Sequence, residues 1–242
     1  MTNVNNWEKY PHTMHLPWSE SLSRDDKRIS SLDNFVGREV IVTEKMDGEN
    51  CTLYNNGLHA RSLNYNSHPS RHWVSALQAV IKDSIPENIR ISGENMYAKH
   101  SILYNTLPSY FLIFSIYEDN ICSSWDSTVD WAEYFKYNMR FEDNNYYPYH
   151  LFTVPVLYRG IWDEEKVKSC YTGKSVFGGE QEGYVVRVAS EFPVESHNSF
   201  IAKYVRANHV QPNEDHWFRK AIIPNHLEPL KLNLLKNPKY GF

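Results

Sequence analysis

The densest chemistry in the chain is the string Lys45-Met46-Asp47-Gly48-Glu49-Asn50, which follows an apolar run, Arg38 to Thr43, that reads as a buried strand. A lysine at the end of such a strand projects into a cleft. Partial loss of water there lowers its proton affinity and leaves a nucleophilic amine. Gly48 lets the backbone approach a ligand closely, and Asp47 and Glu49 set carboxylates beside it. The chemistry on offer is covalent, with the Lys45 amine as nucleophile. The same residues also suit a solvated lysine in a β-turn, so the rest of the chain has to decide.

The elements that position this string are short strands and scattered helices. Cys51 to Tyr54 and Leu58 to Ser62 read as a hairpin, because Asn55-Asn56-Gly57 supplies the positive φ angles of a tight turn. Ser70 to Asp83 has Trp73, Leu77, Val80 and Ile81 on one helical face and stops at Ile85-Pro86. Further strands are predicted over Asn88 to Ser92, Tyr110 to Tyr117, Val154 to Tyr158, Gly183 to Ala189 and Phe200 to Val205, and a helix over Ser127 to Tyr137. Residues 138–150 read as a polar loop. The expectation is an α+β fold with mostly antiparallel sheets flanked by helices. Its parts are an N-terminal arm over 1–35, one domain over 36–210 and a broken tail over 211–242 with one short helix near Leu230 to Leu235.

Composition narrows the function classes. The chain has 242 residues, of which 41% are hydrophobic and 22% charged, so it reads as globular. No stretch approaches a membrane span, and the N-terminus has no apolar signal region. Three scattered cysteines, Cys51, Cys122 and Cys170, argue against a disulfide framework and point to a reducing, cytoplasmic setting. The net charge of −4 means that any phosphate-binding surface is local. Aromatic residues reach 14%, enough for both a packed core and a surface that stacks bases. A basic and aromatic surface is available from Arg61, Arg71, His72 and Lys99 with Tyr65, Trp73 and Tyr97. His209 and His216 lack the cysteine or close carboxylate of a zinc site and read better as phosphate contacts or tail packing.

Lys45-Met46-Asp47-Gly48 does not stand alone. Arg61 follows the hairpin in His-Ala-Arg-Ser, and Gly93-Glu94-Asn95 follows the first helix. The β run carries Ile113-Phe114-Ser115-Ile116, and Glu182-Gly183-Tyr184-Val185-Val186 and Ala202-Lys203-Tyr204 come last. Six such strings in this order resemble the covalent nucleotidyltransferases: RNA ligases, DNA ligases and mRNA capping enzymes. The resemblance spans Lys45 to Arg206 and is closest to ATP-dependent RNA ligases, with Asn50 placed as in the small nick-sealing phage enzymes. His15-Leu-Pro-Trp18 with Asp25-Asp26, and Val205 to Gln211 with His216-Trp217, are similar to stand-alone RNA ligase domain proteins. The tail leaves no room for the OB domain that DNA ligases and capping enzymes carry.

The resemblance implies a nucleotidyltransferase (ATP-grasp-like ligase adenylation) domain and a role for each residue. Lys45 attacks the α-phosphate of ATP and forms lysyl-AMP, which requires a depressed pKa. Lys203 and Arg61 stabilise the charge on the phosphate. Glu182, with Asp47, holds Mg²⁺ or Mn²⁺. Glu94 accepts from the ribose, Phe114 or Phe111 stacks on adenine, and Glu44 accepts from the adenine amino group. Asn50, Arg206 and His209 face substrate RNA. Val205 stands where the family often carries a second basic residue, which opens a gap in the phosphate contacts. The implied partner is RNA with 5′-phosphate and 3′-hydroxyl ends, prepared by an end-healing kinase or phosphatase. The rival readings are a general polynucleotide or DNA ligase, a capping guanylyltransferase and an RNA-binding module without activity.

Overall fold

β2 (Glu39–Lys45) is buried from Val40 to Glu44, a run without alternation because both faces are covered. Val40 and Val42 enter one core with Leu16, Phe35, Tyr184 and Val186. Ile41, between them, enters another with Leu112, Phe152 and Val154. In this computed structural model the described residues are 7–23, 26–63, 68–138, 151–209 and 221–228. They form two sheets.

The first sheet holds β1 (Met14–His15), β12 (Ile201–Val205), β10 (Gly183–Val188), β2 and β9 (Val156–Ile161), in that order. The second holds β11 (Phe192–Pro193), β7 (Ile121–Cys122), β6 (Phe111–Glu118), β5 (Ile89–Asn95), β3 (Glu49–Tyr54) and β4 (Gly57–Ala60), with β8 (Phe152–Thr153) beside β6. Among the described strands β1·β12 and β6·β8 pair in parallel, and the other strand pairs are antiparallel. The helices are α1 (His72–Ile81), α2 (Trp125–Asn138), α3 (Glu164–Ser169) and α4 (His197–Phe200). Val74, Leu77 and Ile81 of α1 and Ala132 and Phe135 of α2 cover one face of the second sheet in a core with Leu53, Ile91 and Phe111. The fold is therefore α+β with mostly antiparallel sheets.

Differences from the sequence reading are local. The hairpin forms, but neither Asn55 nor Asn56 has positive φ; Gly57 takes it, at +147°. The strand expected from Val154 starts at Val156, after Pro155, and Phe152–Thr153 pairs separately with β6. Helix α3 was not expected, although Asp163 caps it by accepting from the Glu165 and Lys166 N–H groups. All of 139–150, the stretch 211–220 with His216, and the helix near 230–235 lie outside the described residues, as does Tyr65.

Part of the arm is woven into the first sheet. His15 pairs with Lys203 across β1 and β12. Leu16 is wholly buried, and Trp18 Nε1 donates to the Tyr184 hydroxyl at 2.8 Å. Strands β10 and β12 approach so closely that a Cβ on Gly183 would lie 1.9 Å from the Tyr204 carbonyl oxygen. Among the described residues no helix is long and apolar enough to cross a membrane.

Candidate active site

Strand β2 leaves the first sheet at Lys45, and β3 enters the second at Glu49, so Lys45 to Gly48 cross the seam between the sheets. Only a glycine fits the crossing at 48. A Cβ there would lie 2.6 Å from the Asn95 carbonyl and 2.9 Å from Met96 Sδ. The Gly48 N–H donates to Glu94 Oε1 at 3.1 Å, and the Asp47 N–H to the Tyr104 hydroxyl at 3.0 Å. Above the seam opens a cavity of about 650 Å³.

Its lining gathers residues that are remote in sequence. From the expected set, Glu44, Lys45, Asp47, Asn50, Arg61, Glu94, Phe114, Glu182 and Lys203 all lie on the wall. Arg206 does not; its guanidinium pairs with Glu180 at 2.5 Å. His209, expected to face RNA, is instead buried behind the two carboxylates, 3.3 Å from Glu182 Oε1 and 3.6 Å from Asp47 Oδ1. Phe114 stands on the cavity side of β6, edge-on to Tyr10 with ring centroids 5.1 Å apart. Phe111 is in the core against Gly93, so Phe114 is the ring that faces the cavity. Arg71 is not a surface cation: it grips Glu49 through Nε at 2.9 Å and through Nη2.

The electrostatics correct one expectation. Lys45 Nζ lies 2.7 Å from Glu182 Oε1 and 2.9 Å from Oε2. Burial pushes its pKa down, but the charges of Glu182, Glu94 and Asp47 outweigh burial and hold it above the ordinary lysine range. Without a cation beside Glu182, these charges favour the ammonium form of Lys45, whereas the resemblance implies a neutral amine for attack. The carboxyls around it respond to the same confinement. Burial pushes Glu94 up to about 8 and Glu44 up to about 7. Glu44 Oε2 accepts from the Val176 N–H at 2.9 Å, while Oε1 is buried without a hydrogen-bond partner on the cavity wall. Asp47 stays ionised. Burial opposes this, but His209 and the Ser101 and Ile102 donors prevail and hold the carboxyl well below the usual carboxylate range. The Ser101 hydroxyl and the two N–H groups all reach Oδ2, at 2.7 to 2.8 Å, which leaves Oδ1 turned to Glu182 and His209.

The arm supplies a wall that sequence reasoning missed. Lys9, Tyr10, Pro11, His12 and Thr13 line the same cavity as Lys45. Asp26 accepts from Lys203 Nζ at 3.2 Å, and it lies 3.3 Å from both His12 Nε2 and His15 Nε2. The string His15-Leu-Pro-Trp18 with Asp26 was the available signal, and its physical content is this contact. Burial and the nearby Lys45 charge push Lys203 down, and Asp26 opposes both.

A divalent cation is the group that such a domain implies. Asp47 Oδ1 and Glu182 Oε1 fit one: they are buried oxygens of the hard donor type, within 4.8 Å of each other.

The RNA ligase family model matches residues 38–205. No curated protein sequence matches the chain. Among solved structures, the apo form of a variant Naegleria gruberi RNA ligase aligns with a TM-score of 0.53 at 16% identity, over 82% of this chain and 61% of its own. Two further variants of that enzyme, each with ATP and manganese, align at 0.50 with 16% and 17% identity. They cover 83% and 84% of this chain and 58% and 62% of their own. The chain thus spans about three-fifths of the length of these enzymes. With the family match running across both sheets and over the seam that carries Lys45, this chain belongs to the RNA ligase family.

Proposed function

We propose that the chain is an ATP-dependent RNA ligase that works through a lysyl-AMP intermediate. The observation that carries this reading is one lysine, Lys45, held 2.7 Å from Glu182 at the floor of a cavity of about 650 Å³. An aromatic ring and an unpartnered carboxyl, Phe114 and Glu44, stand on the wall of the same cavity.

In the first step the Lys45 amine attacks the α-phosphorus of ATP. A nitrogen–phosphorus bond forms, the bond to the bridging oxygen breaks, and pyrophosphate leaves. Phe114 stacks on adenine, and the free oxygen of Glu44 meets its amino group. Glu94 meets the ribose. Lys203 and Arg61 place positive charge on the phosphate oxygens. A divalent cation, Mg²⁺ or Mn²⁺, held by Asp47 and Glu182 would add charge there and compete with Lys45 for Glu182, which favours the unprotonated amine. In the second step an RNA 5′-phosphate oxygen takes the AMP and frees Lys45. In the third, an RNA 3′-hydroxyl attacks the activated phosphate and AMP departs; Asn50 serves these last steps. An end-healing kinase or phosphatase is the partner this chemistry needs when ends arrive in the wrong state. Three free, buried thiols suit a cytoplasmic setting.

The test is label transfer. Purified protein is first treated with pyrophosphate to strip bound AMP. It is then incubated with Mg²⁺ or Mn²⁺ and α-labelled ATP, and resolved on a denaturing gel beside Lys45→Ala. An ATP-dependent adduct missing from Lys45→Ala, followed by sealing of nicked RNA, is expected. A GTP-specific adduct would mean a capping guanylyltransferase. Preferential sealing of DNA would mean a DNA ligase, and no adduct from folded protein would leave an RNA-binding module.

A further inference from the structure

Behind the cavity floor three buried side chains point at one another without completing a hydrogen bond. His209 Nε2 lies 3.3 Å from Glu182 Oε1 and 3.6 Å from Asp47 Oδ1, and the three side chains are 1%, 1% and 6% exposed. The three atoms fall within 4.8 Å of one another. Neither ring nitrogen of His209 has a hydrogen-bond partner, while Glu182 Oε1 is also 2.7 Å from the Lys45 ammonium. A buried imidazole without a hydrogen-bond partner costs free energy, and this one turns its Nε2 toward the two carboxylates.

The surrounding structure aims them there. Asp47 Oδ2 is taken by Ser101 and Ile102, so Oδ1 is the oxygen on offer. The Arg206 N–H donates to the Glu182 carbonyl at 3.0 Å, which ties the start of β10 to the end of β12. Asn208, at φ +56°, then turns the chain so that His209 points inward. Fixing one oxygen or the backbone so that the other atom faces the centre is how supporting contacts orient metal ligands.

We propose that His209 is a direct nitrogen ligand of the cation at Asp47 and Glu182, and that this makes the site take Mn²⁺ in preference to Mg²⁺. Two carboxylate oxygens alone suit magnesium, which favours an all-oxygen shell and keeps several waters. An imidazole nitrogen changes the ranking. Magnesium gains little from nitrogen, whereas first-row transition ions gain more from it, manganese least among them. Mixed oxygen and nitrogen donors therefore favour manganese over magnesium. The part this ion plays in nucleotide transfer rests on the reading above; its binding does not.

The experiment uses the full chain, stripped of metal with a chelator and titrated with Mn²⁺ alone, without nucleotide. Electron paramagnetic resonance counts free Mn²⁺ and gives an affinity. Electron spin-echo modulation then reports whether a ¹⁴N nucleus is bonded to the ion. Wild type is expected to show nitrogen modulation, and His209→Gln to lose it. In His209→Gln the Mn²⁺ affinity should fall about tenfold or more, while Mg²⁺ affinity, read by competition, moves far less. Absence of nitrogen modulation in the wild type overturns the proposal, as does an equal loss for both ions. Should His209→Gln fail to fold, the wild-type spectrum decides alone. Nitrogen modulation without a lysyl adduct would sink the ligase reading and keep the metal site; an adduct without nitrogen modulation would do the reverse.

Discussion

Replacing Asp26 by Asn tests whether the arm belongs to the catalytic unit. The Lys203–Asp26 pair is 3.2 Å long, with the side chains 14% and 13% exposed. At an effective dielectric of about 20, that distance gives about 5 kcal/mol of gross attraction. Removing one partner of a fully buried pair costs about 3–5 kcal/mol, because the other charge is left stranded. The slight exposure puts this pair at the lower end, about 3 kcal/mol, or about 6–12 °C of melting temperature for a chain of this size. The Asp26 carboxyl lies well below the usual carboxylate range. Burial opposes this, but the Ser23 donors, Lys203 and His15 prevail. A carboxyl depressed in the folded state stabilises at every pH above its unfolded value and loses that contribution only in acid, so the deficit should be flat from pH 5 to 8. Lys203, already pushed down by burial and by Lys45, would then titrate at still lower pH. Single-turnover formation of the lysine adduct should slow roughly 10- to 100-fold, and the alkaline limb of its pH profile should shift to lower pH. If Asp26→Asn loses stability but keeps both the rate and the alkaline limb, the arm is only a buttress and the reasoning fails.

Three other outcomes are expected. Gly183→Ala forces a Cβ to within 1.9 Å of the Tyr204 carbonyl and should spread β10 from β12; urea unfolding should show a loss of several kcal/mol, of the size strained backbone sites give, or no folded protein. His197 is pushed down to about 3, chiefly by burial and then by the Arg187 and His12 charges. The unfolded chain takes up that proton below about pH 6.5 while the native state does not, so stability falls as the pH drops. His197→Gln should remove about 2 kcal/mol of the loss between pH 7 and pH 5, measured by denaturation at each pH. Phe114→Ala should weaken ATP binding about tenfold, given about 1–1.5 kcal/mol for an aromatic contact, and calorimetry on a Lys45→Ala background would read it without turnover.

Much of this site was legible because its parts sit on strands, and strands announce themselves. Lys45, Glu94, Phe114, Glu182 and Lys203 each fall in or beside an apolar run, and the order of the runs limits where they can meet. The rest was hidden for physical reasons. Met14–His15 is a strand of two residues, too short for any alternation to register, so its partner Asp26 could not be assigned to Lys203. His209 follows the last strand in a polar segment, and only a left-handed residue, Asn208, turns it inward. The protonation of Lys45 could not be read either. A lysine in a cleft should lose its proton, and the sign reverses because carboxylates gather around it, chief among them one 137 residues away that arrives within hydrogen-bond distance. Sequence names the charges, but distance decides which of them wins.

The crossing at Lys45 to Gly48 also bears on how the molecule acquires its activity. Lys45 belongs to one sheet, Gly48 rests against the other, and Glu182 arrives at the start of β10, far along the chain. No early fragment holds the set, and contacts of such long sequence separation form slowly. During refolding, competence for adduct formation should therefore lag behind the recovery of secondary structure. A labelled lysine would mark the moment at which the two halves lock, a clock for the last event in folding that needs no added probe.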